Sequence, residues 1–157
     1  MGLSVGDVAP GFSLDGVDGT TGEALEVSLS QHRGTPVVLA FYPADNSPVC
    51  TAQLESYTAE VASFDALNAV VLAVSPQSVE SHRQFAQARG GFAFPLLSDE
   101  DARVGRAYGN IGLLRLYRRS TFVIDPEGRV TWMHRYIGPG LGYKPVDELV
   151  AALRAFA

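Results

Sequence analysis

Apolar residues in this chain fall into short unbroken runs, separated by stretches in which they recur every three or four positions. The run VVLAFY at 37–42 is apolar throughout, the pattern of a strand buried on both faces. From about Pro48 to Leu67 the period changes. Leu54, Tyr57, Val61 and Phe64 stand three and four apart and predict a helix. A second buried strand follows at Ala69–Val74, then a cap signal and a helix over Ser75–Gln87, with Val79, Phe85 and Ala86 on one side. Phe94–Leu97 reads as a short strand closed by Ser98-Asp99, and Ala102–Tyr108 as a short helix ended by Gly109. Ser120–Asp125 and Arg129–Tyr136 make a hairpin about Asp125-Pro126-Glu127-Gly128, with proline and glycine in type I turn positions. The last helix runs over about Val146–Phe156, where Val146, Leu149, Val150 and Leu153 keep helical spacing.

Strands alternating with amphipathic helices describe an α/β protein. The closing hairpin and helix make the order that of a thioredoxin-like fold: a central mixed β-sheet flanked by helices, preceded by a Gly-rich N-terminal extension. No repeat, low-complexity tract or linker-like shift interrupts the pattern, so residues 1–157 read as one domain. A chain of 157 residues supports one core and is short for two.

Composition narrows the function classes. Hydrophobic residues at 46% and charged residues at 18% are ordinary for a soluble globular protein. A net charge of −5, with basic residues scattered except for Arg115, Arg118 and Arg119, argues against a nucleic-acid partner. No apolar run approaches the roughly 20 residues that span a bilayer. The segment MGLSVGDVAPGFSLDG lacks the basic start and apolar stretch of a secretory signal, so the expectation is a cytoplasmic protein without a membrane partner. His32, His82 and His134 are well separated and form no metal-ligand pattern, and no Gly-rich loop has a phosphate-cradling context. No metal or other cofactor is expected. His82 reads as structural rather than catalytic, and Tyr42 and Tyr57 as core residues.

The chemistry-bearing feature is Cys50, the only cysteine, in the run FYPADNSPVCTAQLESY at 41–57. Ser47 is a natural N-cap and Pro48 suits the first helical position. That count puts Cys50 in the first turn, where free N–H groups and the positive end of the helix dipole favour a thiolate. Leu54 lies four residues on, so the thiol shares the apolar face and points inward. A lone cysteine on such a face is commonly a small buried hydrophobe; its place in the first turn favours a redox nucleophile. Ser47-Pro48-Val49-Cys50 has serine where a thiol–disulfide exchange motif needs its first cysteine.

These residues resemble the peroxiredoxins, most closely the bacterioferritin-comigratory or Q-type branch. The resemblance covers essentially the whole chain, through VGDVAPGFSL at 5–14, FYPADNSPVCT at 41–51, VSPQSVESHRQFA at 74–86, FPLLSDED at 94–101 and RSTFVIDPEG at 119–128. It implies thiol-dependent reduction of hydrogen peroxide and organic hydroperoxides. Residue by residue, it makes Cys50 the peroxidatic cysteine and Ser47 the hydroxyl that hydrogen-bonds the peroxide. Pro43 becomes the residue shielding the thiolate from water, and Arg119 the arginine stabilising thiolate and transition state. Arg118 competes for that last role; the spacing to TFVID favours Arg119.

Three departures from the family pattern follow. Glu55 occupies the position where many Q-type members carry a resolving cysteine, and no other cysteine exists to replace it. The resemblance therefore implies a one-cysteine mechanism with an external reductant, of thioredoxin, glutaredoxin or small-thiol type, in a monomer or weak dimer. Glu55 also carries a charge whose field modestly opposes a thiolate. Gln53 stands where the family usually has Glu, which removes an anion from the network around the arginine, and Val49 replaces the common Gly and narrows the pocket. The alternative functions are a peroxide sensor, or a redox-regulated binding module with little turnover.

Overall fold

The computed structural model describes residues 3–112, 117–136 and 143–155. The elements in chain order are β1 (Ser13–Val17), β2 (Ala24–Ser28), a 3-10 turn (Leu29–His32), β3 (Val37–Phe41), α1 (Pro48–Ala59), α2 (Val61–Asp65), β4 (Val70–Ser75), α3 (Val79–Ala88), β5 (Leu96–Ser98), α4 (Arg103–Ala107), β6 (Ser120–Ile124), β7 (Val130–Arg135) and α5 (Val146–Arg154). The strands join into one seven-stranded sheet of order β2-β1-β5-β4-β3-β6-β7. β3, β4 and β5 pair in parallel, while β1, β2, β6 and β7 add antiparallel partners, so the sheet is mixed as expected.

β3 shows why the continuous apolar run is a strand and how it divides the core. Val38, Ala40 and Tyr42 point to one face, where they meet Leu54 and Tyr57 of α1, Phe85 of α3 and Leu149 of α5. Val37, Leu39 and Phe41 point to the other, against Phe122, Val104 and Tyr108. All six are almost entirely buried, because both faces of a parallel strand are covered.

The structure corrects the sequence expectations in three places. The N-terminal extension contains a hairpin, β1–β2, whose inner strand pairs with β5. Its Gly16 hides the strand signal yet is required there: a Cβ at this position would stand 2.2 Å from the Leu96 carbonyl oxygen. The helix expected over Pro48–Leu67 is two helices, broken at Glu60, where φ −106° and ψ 20° leave helical geometry while Phe64 still reaches the core. Ser75 ends β4; the cap of α3 is Ser78, whose side chain accepts from Ser81 N at 3.1 Å. The hairpin turn at 125–128 is present, closed by Gly128 at φ 89°. Of the residues named from the sequence, Arg115 and Phe156 lie outside the described residues. Among the described residues, no helix is long and apolar enough to cross a membrane.

Leu54 docks α1 onto the sheet beneath Cys50 and is fully buried. Leu54→Ala is expected to lower unfolding free energy by about 2–5 kcal/mol, the usual range for a buried leucine. A urea titration of the reduced protein checks this.

Candidate active site

The site begins where β3 runs out. Tyr42 N donates to Val74 O at 2.9 Å, which extends the β3–β4 pairing by one residue before the chain turns through 43–47. Ser47 is extended (φ −71°, ψ 146°), and Pro48 opens α1. The Ser47 carbonyl accepts from Thr51 N at 2.9 Å, and its Oγ accepts from Cys50 N at 3.3 Å. Cys50 is thus the third helical residue, fully buried, with its own N–H spent on the cap.

Sheet register brings the second component. Phe41 of β3 pairs with Ser120 of β6, so the residue before Ser120 arrives beside the start of α1. That residue is Arg119. It is 3% exposed, and its Nη2 donates to Cys50 Sγ at 3.2 Å. The backbone holds it from the far side, since the Arg119 carbonyl accepts from Tyr136 N at 3.0 Å. Arg118 faces elsewhere, its Nε donating to the Tyr136 carbonyl at 2.9 Å.

Gln53 is the residue that sequence reasoning undervalued. It is fully buried; its Oε1 accepts from Arg119 Nη1 at 2.6 Å, and its Nε2 donates to Tyr57 Oη at 3.1 Å. Cys50, Gln53 and Tyr57 follow at intervals of three and four, so one helix face presents sulfur, amide and phenol in a row toward Arg119. That spacing is legible in the sequence; Tyr57 lies in the core as expected, and its hydroxyl in addition meets Gln53, which the expectation of a missing anion does not capture. The neutral amide orients the guanidinium without drawing off its charge at that contact. Burial raises the Tyr57 phenol, with the Gln53 hydrogen bond and the charge of Arg119 pulling the other way.

The structure brings Cys50, Ser47 and Arg119 together. Pro43 lies half-buried at the start of the 43–47 segment. Glu55 is exposed on α1, where solvent screens its charge, so the opposing field expected of it is weak. Val49 is half-buried. Among the described residues no group of histidines, cysteines and acids has a metal-holding arrangement.

A buried thiol among apolar residues alone is inert. A guanidinium within hydrogen-bond reach and a helix N-terminus both favour the anion instead. Gln53→Ala leaves Arg119 Nη1 without its amide and Tyr57 Oη without its donor. It is expected to cost about 1–3 kcal/mol of stability in urea, the usual scale for a lost buried hydrogen bond to a charged group. It should also slow alkylation of Cys50 by iodoacetamide at neutral pH.

The sequence profile of the AhpC/TSA family matches residues 5–133. The chain is similar to peroxiredoxin Bcp of Xanthomonas campestris pv. campestris, with 38% identity over 139 residues and 84% of each chain covered. It is also similar to peroxiredoxin Bcp of Bacillus subtilis, with 35% identity over 137 residues and 83% of each covered. Among solved structures, that of Enterococcus faecalis AhpC superposes with a TM-score of 0.89 at 29% identity, covering 99% of this chain and 93% of the other. A match of this extent, on a thioredoxin-like sheet carrying a first-turn cysteine, means that the chain belongs to the AhpC/TSA family.

Proposed function

We propose that this protein is a thiol-dependent peroxidase that reduces hydrogen peroxide and organic hydroperoxides through a Cys50 sulfenic acid. The observation that carries this reading is the 3.2 Å contact between Arg119 Nη2 and Cys50 Sγ at the N-terminus of α1. The thiolate attacks one peroxide oxygen; the S–O bond forms as the O–O bond breaks, and the departing hydroxide or alkoxide takes up a proton. The donors that meet developing negative charge are Arg119 and the Ser47 hydroxyl. Ser47 accepts from Cys50 N, which leaves its own proton free to donate. Pro43, at the start of the same segment, keeps water from the sulfur. The roles of Cys50, Ser47, Arg119 and Pro43 are those the arrangement supports best.

Regeneration requires a thiol from outside, because this chain has no second cysteine. Two reductant thiols become a disulfide while the sulfenic acid returns to thiol and releases water. The reductant is a small thiol, or a thioredoxin- or glutaredoxin-type protein. The setting is a reducing cytoplasm, where one domain spanning residues 1–157 acts as a monomer or weak dimer.

The test is single turnover of the reduced protein with micromolar hydrogen peroxide, followed by intact mass. A rapid gain of one oxygen, erased by dithiol and repeatable over cycles, is expected. A stable adduct that supports no further cycles favours the sensor reading, and no mass change refutes the peroxidase. Cys50→Ser should abolish turnover with the fold intact. Arg119→Ala should slow Cys50 oxidation on the order of 10²–10³-fold, the usual loss for one donor to a developing anion; stopped-flow oxidation of the variant checks this.

A further inference from the structure

Asp45 sits in the middle of the 43–47 segment, and its carboxylate is 2% exposed. Oδ1 accepts from Tyr42 Oη at 2.7 Å; Oδ2 accepts from Ser81 Oγ at 2.7 Å and faces His82 Nδ1 at 2.8 Å. The Asp45 backbone N–H donates to Gln77 Oε1 at 2.9 Å, and Ser75 Oγ donates to the same oxygen at 3.1 Å. His82 is fully buried on α3, and its second nitrogen, Nε2, stands 3.0 Å from the Leu97 carbonyl oxygen of β5.

Both imidazole nitrogens therefore face oxygen acceptors. A carbonyl oxygen only accepts, and a carboxylate oxygen only accepts. Either neutral tautomer would set a nitrogen lone pair against an oxygen lone pair, at Leu97 or at Asp45. Beside an Asp45 carboxylate, only the imidazolium satisfies both contacts, and its charge is matched by Asp45 alongside. Tyr42 stays a phenol and a donor, since burial first and the Asp45 charge second push its ionisation well above the usual range.

Separating the members of a buried ion pair leaves an uncompensated charge, so the pair constrains where its two residues sit. Here the geometry held is that of the segment carrying Pro43 and Ser47. Asn46, between the pair and the cap, adopts φ 65°, a left-handed turn conformation that asparagine tolerates better than most residues.

We propose that Asp45 and a doubly protonated His82 form a buried latch that positions the 43–47 segment, and through it Pro43 and Ser47, against Cys50. Both are positioning residues. The effect on peroxide rests on the reading of Cys50 as nucleophile; the charge state of His82 does not. The groups facing the ring are the Tyr42 phenol at the end of β3, Asp45 in the segment and the Leu97 carbonyl on β5, with Ser81 of α3 bonded to Asp45. Gln77 and Ser75, from the end of β4, reach the latch through Asp45 and each other, and the charge of Cys50 acts on Tyr42.

The test is a long-range proton–nitrogen correlation spectrum of the His82 ring in the reduced wild-type protein between pH 6 and 9, paired with Asp45→Asn. Two protonated nitrogens at neutral pH are expected in the wild type. In Asp45→Asn the rate of Cys50 with hydrogen peroxide should fall about tenfold to a hundredfold, the scale of small misplacements near a reacting atom. A neutral His82 in the wild type at pH 6–7 overturns the latch, whatever the variant does. So does a folded Asp45→Asn with an unchanged rate. If the wild type proves inert to peroxide, the peroxidase reading falls alone, and iodoacetamide alkylation of Cys50 replaces peroxide in the rate comparison. If the variant does not fold, the wild-type spectrum decides.

Discussion

A guanidinium kept from water must have its donors met by groups placed in advance, and this requirement organises one end of the molecule. Arg119 is 3% exposed, and its known partners are the Gln53 amide and the Cys50 sulfur. An unsatisfied charge there would cost far more than a hydrogen bond returns. The contact therefore constrains α1, which supplies both partners, and the junction before β6, which supplies the arginine. The β3–β6 register makes the two meet, because pairing Phe41 with Ser120 aligns the exit of one strand with the entry of the other.

The 43–47 segment before α1 is held by a different set of polar contacts. The 43–47 segment is capped onto α1 through Ser47 and tied to α3 and β5 through Asp45 and His82. Sulfur, cap and loop are thus each fixed by a buried polar contact. Such preorganisation favours chemistry in which charge moves from sulfur to oxygen, since the donors need not reorient as the reaction proceeds.

Cys50 is fully buried, yet it stands beside a guanidinium and in the first turn of a helix. In apolar surroundings alone a buried thiol stays protonated and inert. Here the sulfur meets a guanidinium at a helix terminus, while Glu55, the acid nearest in sequence after Cys50, lies out in solvent. Gln53 holds Arg119 without a charge of its own.

The amino-acid sequence by itself determined the strands β3, β4, β6 and β7, the helical stretches, the Ser47 cap and the first-turn place of Cys50. Each of these depends on neighbours within a few residues: period, cap and turn chemistry. It obscured β1, where Gly16 interrupts the strand pattern for the sake of the Leu96 backbone passing close by. It also left the break at Glu60 unmarked. The spacing to TFVID favours Arg119 over Arg118, and tertiary structure supplies the physical reason: adjacent residues at a strand entry point to opposite sides, and the β3–β6 pairing turns Arg119 toward α1. Tertiary structure alone turned Gln53 from a missing anion into a tether. It alone joined Asp45 to His82, 37 residues apart. Contacts across that separation follow from sheet order and register, which no local pattern encodes.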